Sequence, residues 1–320
     1  MKAFVAAAIA LLLAVPAAAR DFTAAEQAEV IRAAAALIEA RYVDPARARA
    51  VAAELRRLAA ERSVPMEGEA FAREMTGRFR AVSGDGHLGL SYSEAPLPED
   101  GGEAQFSAAA MDRWYGAQVN HGVEKIERLD GNVMLLDLRV FPPAKMGADV
   151  IAAAMTVVAQ GDALIVDLRA NGGGAETADL LTGYLVEGGS PLTGSYDRPS
   201  DTLRHASSPV WVPGRRFGSD KPLYILTSRR TFSAAEAFAY NLQALGRATV
   251  VGEVTGGGAH PFAYRRVHPH FAVDLPEGKS INPITGTNWE GVGVQPDVRV
   301  PAGEALAKAL ELARAEIDTD

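Results

Sequence analysis

Four short apolar runs, separated by helical patterns, constrain this chain more than any other feature. They are Val133-Met-Leu-Leu-Asp-Leu138, Ala163-Leu-Ile-Val-Asp-Leu168, Leu223-Tyr-Ile-Leu226 and Ala248-Thr-Val-Val-Gly252. Runs this short and this continuously apolar read as buried strands. Between them the spacing predicts helices over roughly 145–159, through Leu185, and along Ala235, Phe238, Ala239, Leu242 and Leu245, where Gly246 ends the pattern. Alternation of this kind means parallel strands with helical crossovers, so the fold class is α/β. Tyr264 to Leu275 predicts an added hairpin, and a helix from Ala302 closes the chain. Upstream, residues 22–82 predict three helices, with the stripes Ile31, Ala34, Ile38, Tyr42, then Val51, Leu55, Leu58, then Phe71, Met75, Phe79. Asp44-Pro45 supplies a cap followed by proline at the first helical position of the second.

Three bulk properties narrow the function. The net charge of -8 argues against a nucleic-acid partner, which wants a basic face. With no cysteine, disulfides, thiol catalysis and thiolate metal sites are excluded. Residues 1–19 read as a signal peptide: Lys2 gives the positive start, Ala3 to Val15 the apolar stretch, and Pro16-Ala-Ala-Ala19 the small-residue cleavage site. The expectation is an exported protein, periplasmic or secreted, with no stable membrane span after cleavage. A loop or lid is expected over residues 94–109, which are rich in Pro, Gly, Glu and Asp.

Ser233 stands where the third run gives way to its helix. One reading is a cap, since Ser233 and Glu236 have capping-box spacing. The other is a nucleophile, because unpaired amides and the dipole at a helix start favour a developing oxyanion. That segment alone does not decide between them; a base and a second oxyanion donor elsewhere in the chain must. Asn171-Gly172-Gly173-Gly174 follows a strand and opens a helix, yet Thr177 takes the third position of G-x-G-x-x-G, so it is no dinucleotide fingerprint. Its amides suit an oxyanion instead. His87 lies in Ser83-Gly-Asp-Gly-His-Leu-Gly-Leu90, and His260 in a second glycine-rich loop; both are candidate bases. Glu290, inside Asn288-Trp-Glu-Gly-Val-Gly-Val-Gln-Pro-Asp297, is a candidate third triad member. His268-Pro-His270 lacks a third ligand at a telling distance, so neither metal nor cofactor is expected.

Taken in order, Asp85-Gly-His87, Asp167-Leu-Arg-Ala-Asn-Gly-Gly173, Thr231-Phe-Ser-Ala-Ala-Glu236, Gly246-Arg-Ala-Thr-Val-Val-Gly-Glu253 with Thr255-Gly-Gly257, and Trp289-Glu-Gly-Val-Gly-Val-Gln-Pro-Asp297 resemble the tail-specific, or C-terminal processing, serine peptidases. The nearest branch is the one holding tricorn protease and the interphotoreceptor retinoid-binding protein modules. The resemblance implies a ClpP/crotonase-like spiral of ββα units over 83–320, with 83–132 a connecting segment carrying the histidine and 20–82 an N-terminal helical subdomain. It implies Ser233 as nucleophile, His87 as base and Glu290 as acid, with the amides of Gly172 or Gly173 and of Ala234 as oxyanion donors. The substrate it implies is a peptide or protein, cleaved through an acyl-enzyme. No lysine follows Thr255-Gly256, so the lysine-using branch does not apply. Gly86 stands where tricorn-like enzymes carry a relaying serine, so the link from Glu290 to His87 is expected to be direct or through water, with Asp85 a substitute acid; His260 stays the alternate base. The stretch from Tyr92 to Val133 is too short for a peptide-binding PDZ module. The competing expectation is a non-catalytic binder of a hydrophobic, retinoid- or lipid-like ligand on the same fold.

Overall fold

Residues 20–98 and 108–318 are described by the computed structural model. The export signal expected over 1–19 and most of the loop expected over 94–109 lie outside the described residues. Two-residue strands β1 (Asp21–Phe22) and β2 (Met66–Glu67) pair beside helices α1 (Ala24–Arg41), α2 (Pro45–Glu61) and α3 (Gly68–Ser83). Asp44 caps α2 as expected, accepting from the amides of Ala46 (2.9 Å) and Arg47 (3.1 Å). Gly84 ends α3 in the left-handed region at φ 70°, a conformation that costs a side-chain-bearing residue and costs glycine little. His87 then leads into β3 (Gly89–Tyr92).

The middle of the chain builds the α/β layer. It runs α4 (Ala108–Tyr115), β4 (Val123–Leu129), β5 (Val133–Leu138), α5 (Ala144–Val158), β6 (Ala163–Asp167) and α6 (Thr177–Gly183). Then come β7 (Pro191–Asp197), β8 (Thr202–Ser207), β9 (Leu223–Thr227), α7 (Ala234–Ala244) and β10 (Thr249–Gly252). The chain ends with β11 (Phe262–His268), β12 (Phe271–Pro276), β13 (Gly278–Ile281), β14 (Val298–Arg299) and α8 (Ala305–Ile317). The six-stranded sheet has the order β14-β10-β9-β6-β5-β4 and is parallel except where β4 meets β5. All four apolar runs are central strands of this sheet.

Strand periodicity explains the layering. Leu136, Leu164, Val166 and Ile225 pack with α5, α6 and α7 on one face. Leu135, Ile165, Tyr224 and Leu226 point the other way, onto Ala305, Ala309 and Ala313, a four-residue repeat along α8. A separate core joins α1, α2 and α3 to the β11-β12-β3 sheet through Leu88, Leu90, Phe271, Val273 and Leu275. The hairpin expected around Tyr264–Leu275 is therefore real, and it is the platform on which the N-terminal helices sit. A third sheet, β13-β7-β8, occupies much of what reads as a polar loop before residue 220. Strand β8 is exposed along its whole length, so it carries no burial pattern for a sequence reading to find.

Asp274 sits on β12 beside β3 and accepts from the Ser91 hydroxyl at 2.8 Å. Burial pushes its carboxyl up to about 6. Because the folded state holds this proton more tightly than the unfolded chain, the associated stability is present at low pH and is lost as pH rises through about 6. Asp274→Asn should therefore stabilise the protein at pH 8 by roughly 2–3 kcal/mol, with the gain vanishing near pH 4. Urea unfolding at the two pH values checks this; an equal effect at both contradicts it.

Candidate functional site

The loop from β9 to α7 is sewn to the loop after β6. Thr231 Oγ1 donates to the Leu168 carbonyl at 2.8 Å, Ser228 Oγ to the Arg169 carbonyl at 2.6 Å, and the Phe232 amide to the Asn171 carbonyl at 3.1 Å. Asn171 is fully buried; its Nδ2 donates to the Leu138 carbonyl (3.1 Å) and its Oδ1 accepts from the Gly173 amide (2.8 Å). Asn171 thus ties the end of β5 to the glycine loop through its side chain and to the Ser233 loop through its carbonyl. Gly173 has φ 109°, and a Cβ there would stand 2.7 Å from Ser233 Cβ. No larger residue fits that approach.

Ser233 lies at φ 54°, ψ -121°. The expected Ser233–Glu236 capping box is present, but an N-cap residue ordinarily takes the extended region, so capping alone does not account for this backbone. A non-glycine residue at positive φ costs on the order of 1–3 kcal/mol and persists only where its surroundings hold it.

Glu236 does the holding. Its buried carboxylate accepts from the amides of Ser233 (2.8 Å), Gly257 (2.7 Å) and Gly258 (2.8 Å), and from the Thr255 hydroxyl. Burial pushes this carboxyl up, and the four donors pull it back towards the charged form. The same glycine loop grips the turn carrying Glu290: Gly291 N–H donates to the Gly257 carbonyl (2.8 Å) and Trp289 Nε1 to the Gly258 carbonyl (2.9 Å).

Ser233, Ala234, His87 and His260 line one cavity of about 290 Å³, together with Gly174, Ala237, Gly258, Phe262 and Trp289. The His87 ring lies against Phe232, the residue before Ser233, with ring centroids 4.7 Å apart, and a Cβ on Gly258 would come within 2.8 Å of its Cε1. Burial holds the imidazole neutral, down to about 4, against the pull of Asp85; its Nδ1 is buried without a partner.

Asp85 is the hub of the acids. Its Oδ1 accepts the His87 amide (2.8 Å), and its Oδ2 accepts the Tyr42 hydroxyl (2.9 Å) and meets His260 Nδ1 (2.8 Å). Burial works to raise this carboxyl, but its bonds to His260, His87 and Tyr42 hold it below the usual carboxylate range. Glu290 stands beside His260, with 3.7 Å between Oε2 and Nδ1, and Oε2 also accepts the Ala259 amide at 2.6 Å. Burial, then the nearby Asp85 charge, pushes Glu290 up, and its Oε1 is buried with no partner. The structure therefore brings the two loops and the acid turn together, but it sets Glu290 against His260 rather than His87. Of the glycine amides, that of Gly173 is taken by Asn171, and it is Gly174 that lines the cavity.

Two contributors escape a sequence reading. Glu236 reads only as a local capping partner, since nothing in Ser-x-x-Glu announces bonds to residues 255–258. Tyr42 reads only as the last apolar position of a helical stripe, although its hydroxyl reaches Asp85.

The glycine-lined cavity thus lies at a strand–helix junction of a mixed α/β fold with a central, mostly parallel sheet, the fold of the S41 peptidases. The chain belongs to peptidase family S41, whose model matches residues 133–300. Among solved structures it is similar to a lipoprotein from Streptococcus agalactiae, with 16% identity and a TM-score of 0.59 over 92% of this chain and 97% of that one. It is also similar to the photosystem II D1 C-terminal processing protease, with 17% identity and a TM-score of 0.53 over 90% and 96%. Tricorn protease matches at 14% identity and a TM-score of 0.58, over 92% of this chain and 37% of that one. At these identities the structural likeness is one of fold.

Glu236→Gln keeps the shape of the carboxylate clamp but turns an NH₂ towards N–H donors. It should lower stability by roughly 2–4 kcal/mol, the scale of losing charge-assisted bonds to a buried group. A thermal melt with an unchanged midpoint would contradict the clamp.

Proposed function

We propose that this chain is an exported serine peptidase in which Ser233 is the nucleophile and His87 the general base. The observation that carries the reading is the strained Ser233 backbone, held in the same cavity as the His87 imidazole. Strain of this kind at a strand-to-helix turn aims a hydroxyl outward, as in a nucleophile elbow, although the G-x-S-x-G sequence is absent. His87 takes the Ser233 proton while Oγ bonds to the scissile carbonyl carbon. The oxyanion forms against the amides of Ala234 and Gly174, at the N-terminus of α7 and in the glycine loop. The imidazolium then protonates the leaving amine as the C–N bond breaks. A water that gives its proton to His87 attacks the acyl-enzyme and releases the carboxylate and free Ser233. Asp85 accepts the His87 backbone amide, and its charge favours the imidazolium of His87. The apolar stretch Ala3 to Val15 supports export.

One observation favours a second assignment of the base. His260, not His87, has a carboxylate on its Nδ1, at 2.8 Å from Asp85, which is the orienting bond of a triad.

A fluorophosphonate probe tests all of this. Wild type should label and Ser233→Ala should not, with peptide hydrolysis falling by roughly 10⁴–10⁶-fold. His87→Ala should abolish labelling while His260→Ala keeps it; the reverse pattern transfers the base to His260. Equal labelling of wild type and Ser233→Ala removes Ser233 from the role, and no labelling of either leaves a ligand-binding protein on this fold.

A further inference from the structure

Beside the cavity two acids crowd one histidine. Asp85 and Glu290 are two carboxylates facing one imidazole, His260, and all three are largely shielded from water, with side chains 0%, 11% and 10% exposed. Glu290 Oε1 is left as a buried acceptor that no donor reaches. An unpaired acceptor in such a place costs on the order of 1–3 kcal/mol, and an unpaired charge costs more. A proton on Glu290 is one remedy. A cation is the other.

The geometry suits the second. Asp85 Oδ2 and Glu290 Oε2 stand 2.8 and 3.7 Å from His260 Nδ1, and one ligand atom from each of the three residues lies within 4.8 Å of the other two. Ligands on a tetrahedral zinc ion, each about 2.0–2.2 Å from the metal, are separated by roughly 3–3.5 Å, so the Asp85–His260 pair would open by a few tenths of an ångström and the widest pair would close by up to roughly 1.5 Å to admit the ion. One nitrogen and two oxygens leave the fourth position open, and an imidazole in the set selects zinc-type ions over calcium or magnesium. The outer partners of such a site are already in place: the Tyr42 hydroxyl donates to Asp85 and the Ala259 amide to Glu290.

We propose that Asp85, His260 and Glu290 form a site for a zinc-type divalent cation. The cation replaces the proton on His260 Nδ1, which leaves to solvent, together with any proton on Glu290. The site stands on the geometry of the cluster and does not depend on which residue acts as nucleophile or base.

Calorimetric titration of zinc into full-length Ser233→Ala protein tests the site with no activity readout. One ion per chain should bind, with a heat that changes between buffers of different ionisation enthalpy because protons are released. Calcium and magnesium should give none. Adding Glu290→Gln should weaken zinc binding by at least the roughly 10–100-fold that loss of even an outer-shell partner costs. His260→Asn should do the same, and serves if the first variant does not fold. His268→Ala with His270→Ala should leave binding unchanged. Absence of zinc binding, or binding that survives Glu290→Gln and His260→Asn, overturns the site.

Discussion

A single carboxylate holds the candidate site in shape. Glu236 sits one helical turn beyond Ser233 and accepts from four donors on two loops, residues 233 and 255–258. Charge-assisted bonds of this kind are the strong ones, and in a buried setting each missing partner is expensive. This is what lets a serine stay at φ 54° at the start of a helix. The glycine loop that Glu236 grips is in turn packed under His87 and bonded to the turn carrying Glu290. Ser233, the His87 imidazole and the turn carrying Glu290 therefore share one anchor.

The remaining supports come from layers far apart in the chain. Asn171 closes the glycine loop onto β5, and the N-terminal helices deliver Tyr42 to Asp85. Those helices pack on a sheet made of β3, β12 and β11, so His87 is reached from one core and Ser233 from another. The cavity lies between the loops that leave these two cores. That placement explains why the acids gather behind the histidines: Asp85 and Glu290 approach from opposite directions and meet at His260.

Much of the fold was legible because strand and helix periodicities are local. Leu223 to Leu226 and Ala163 to Leu168 read as buried strands and are buried strands. Asp44-Pro45 marks a helix start from two adjacent residues. Strands β7 and β8 were not legible, because β8 is exposed along its whole length and β7 buries only Leu192 and Gly194, so neither carries an apolar run. The identity of the chain as a peptidase was legible for a different reason. Five motifs in one order are far more specific than any of them alone.

From its sequence alone, then, the chain specified its α/β class, the strand–loop–helix junction at Ser233, and the glycines at 172–174 and 256–258 that let backbone approach backbone. Each depends on residues within a few positions of one another. Only the tertiary structure decided which acid faces which histidine. Asp85, His260 and Glu290 are separated by 175 and 30 positions, and their pairing at 2.8 and 3.7 Å is set by how two cores and three loops close on each other. Sequence spacing carries no information about a distance of that kind, because contact between remote segments is fixed by packing and by the cost of leaving a buried charge unpaired.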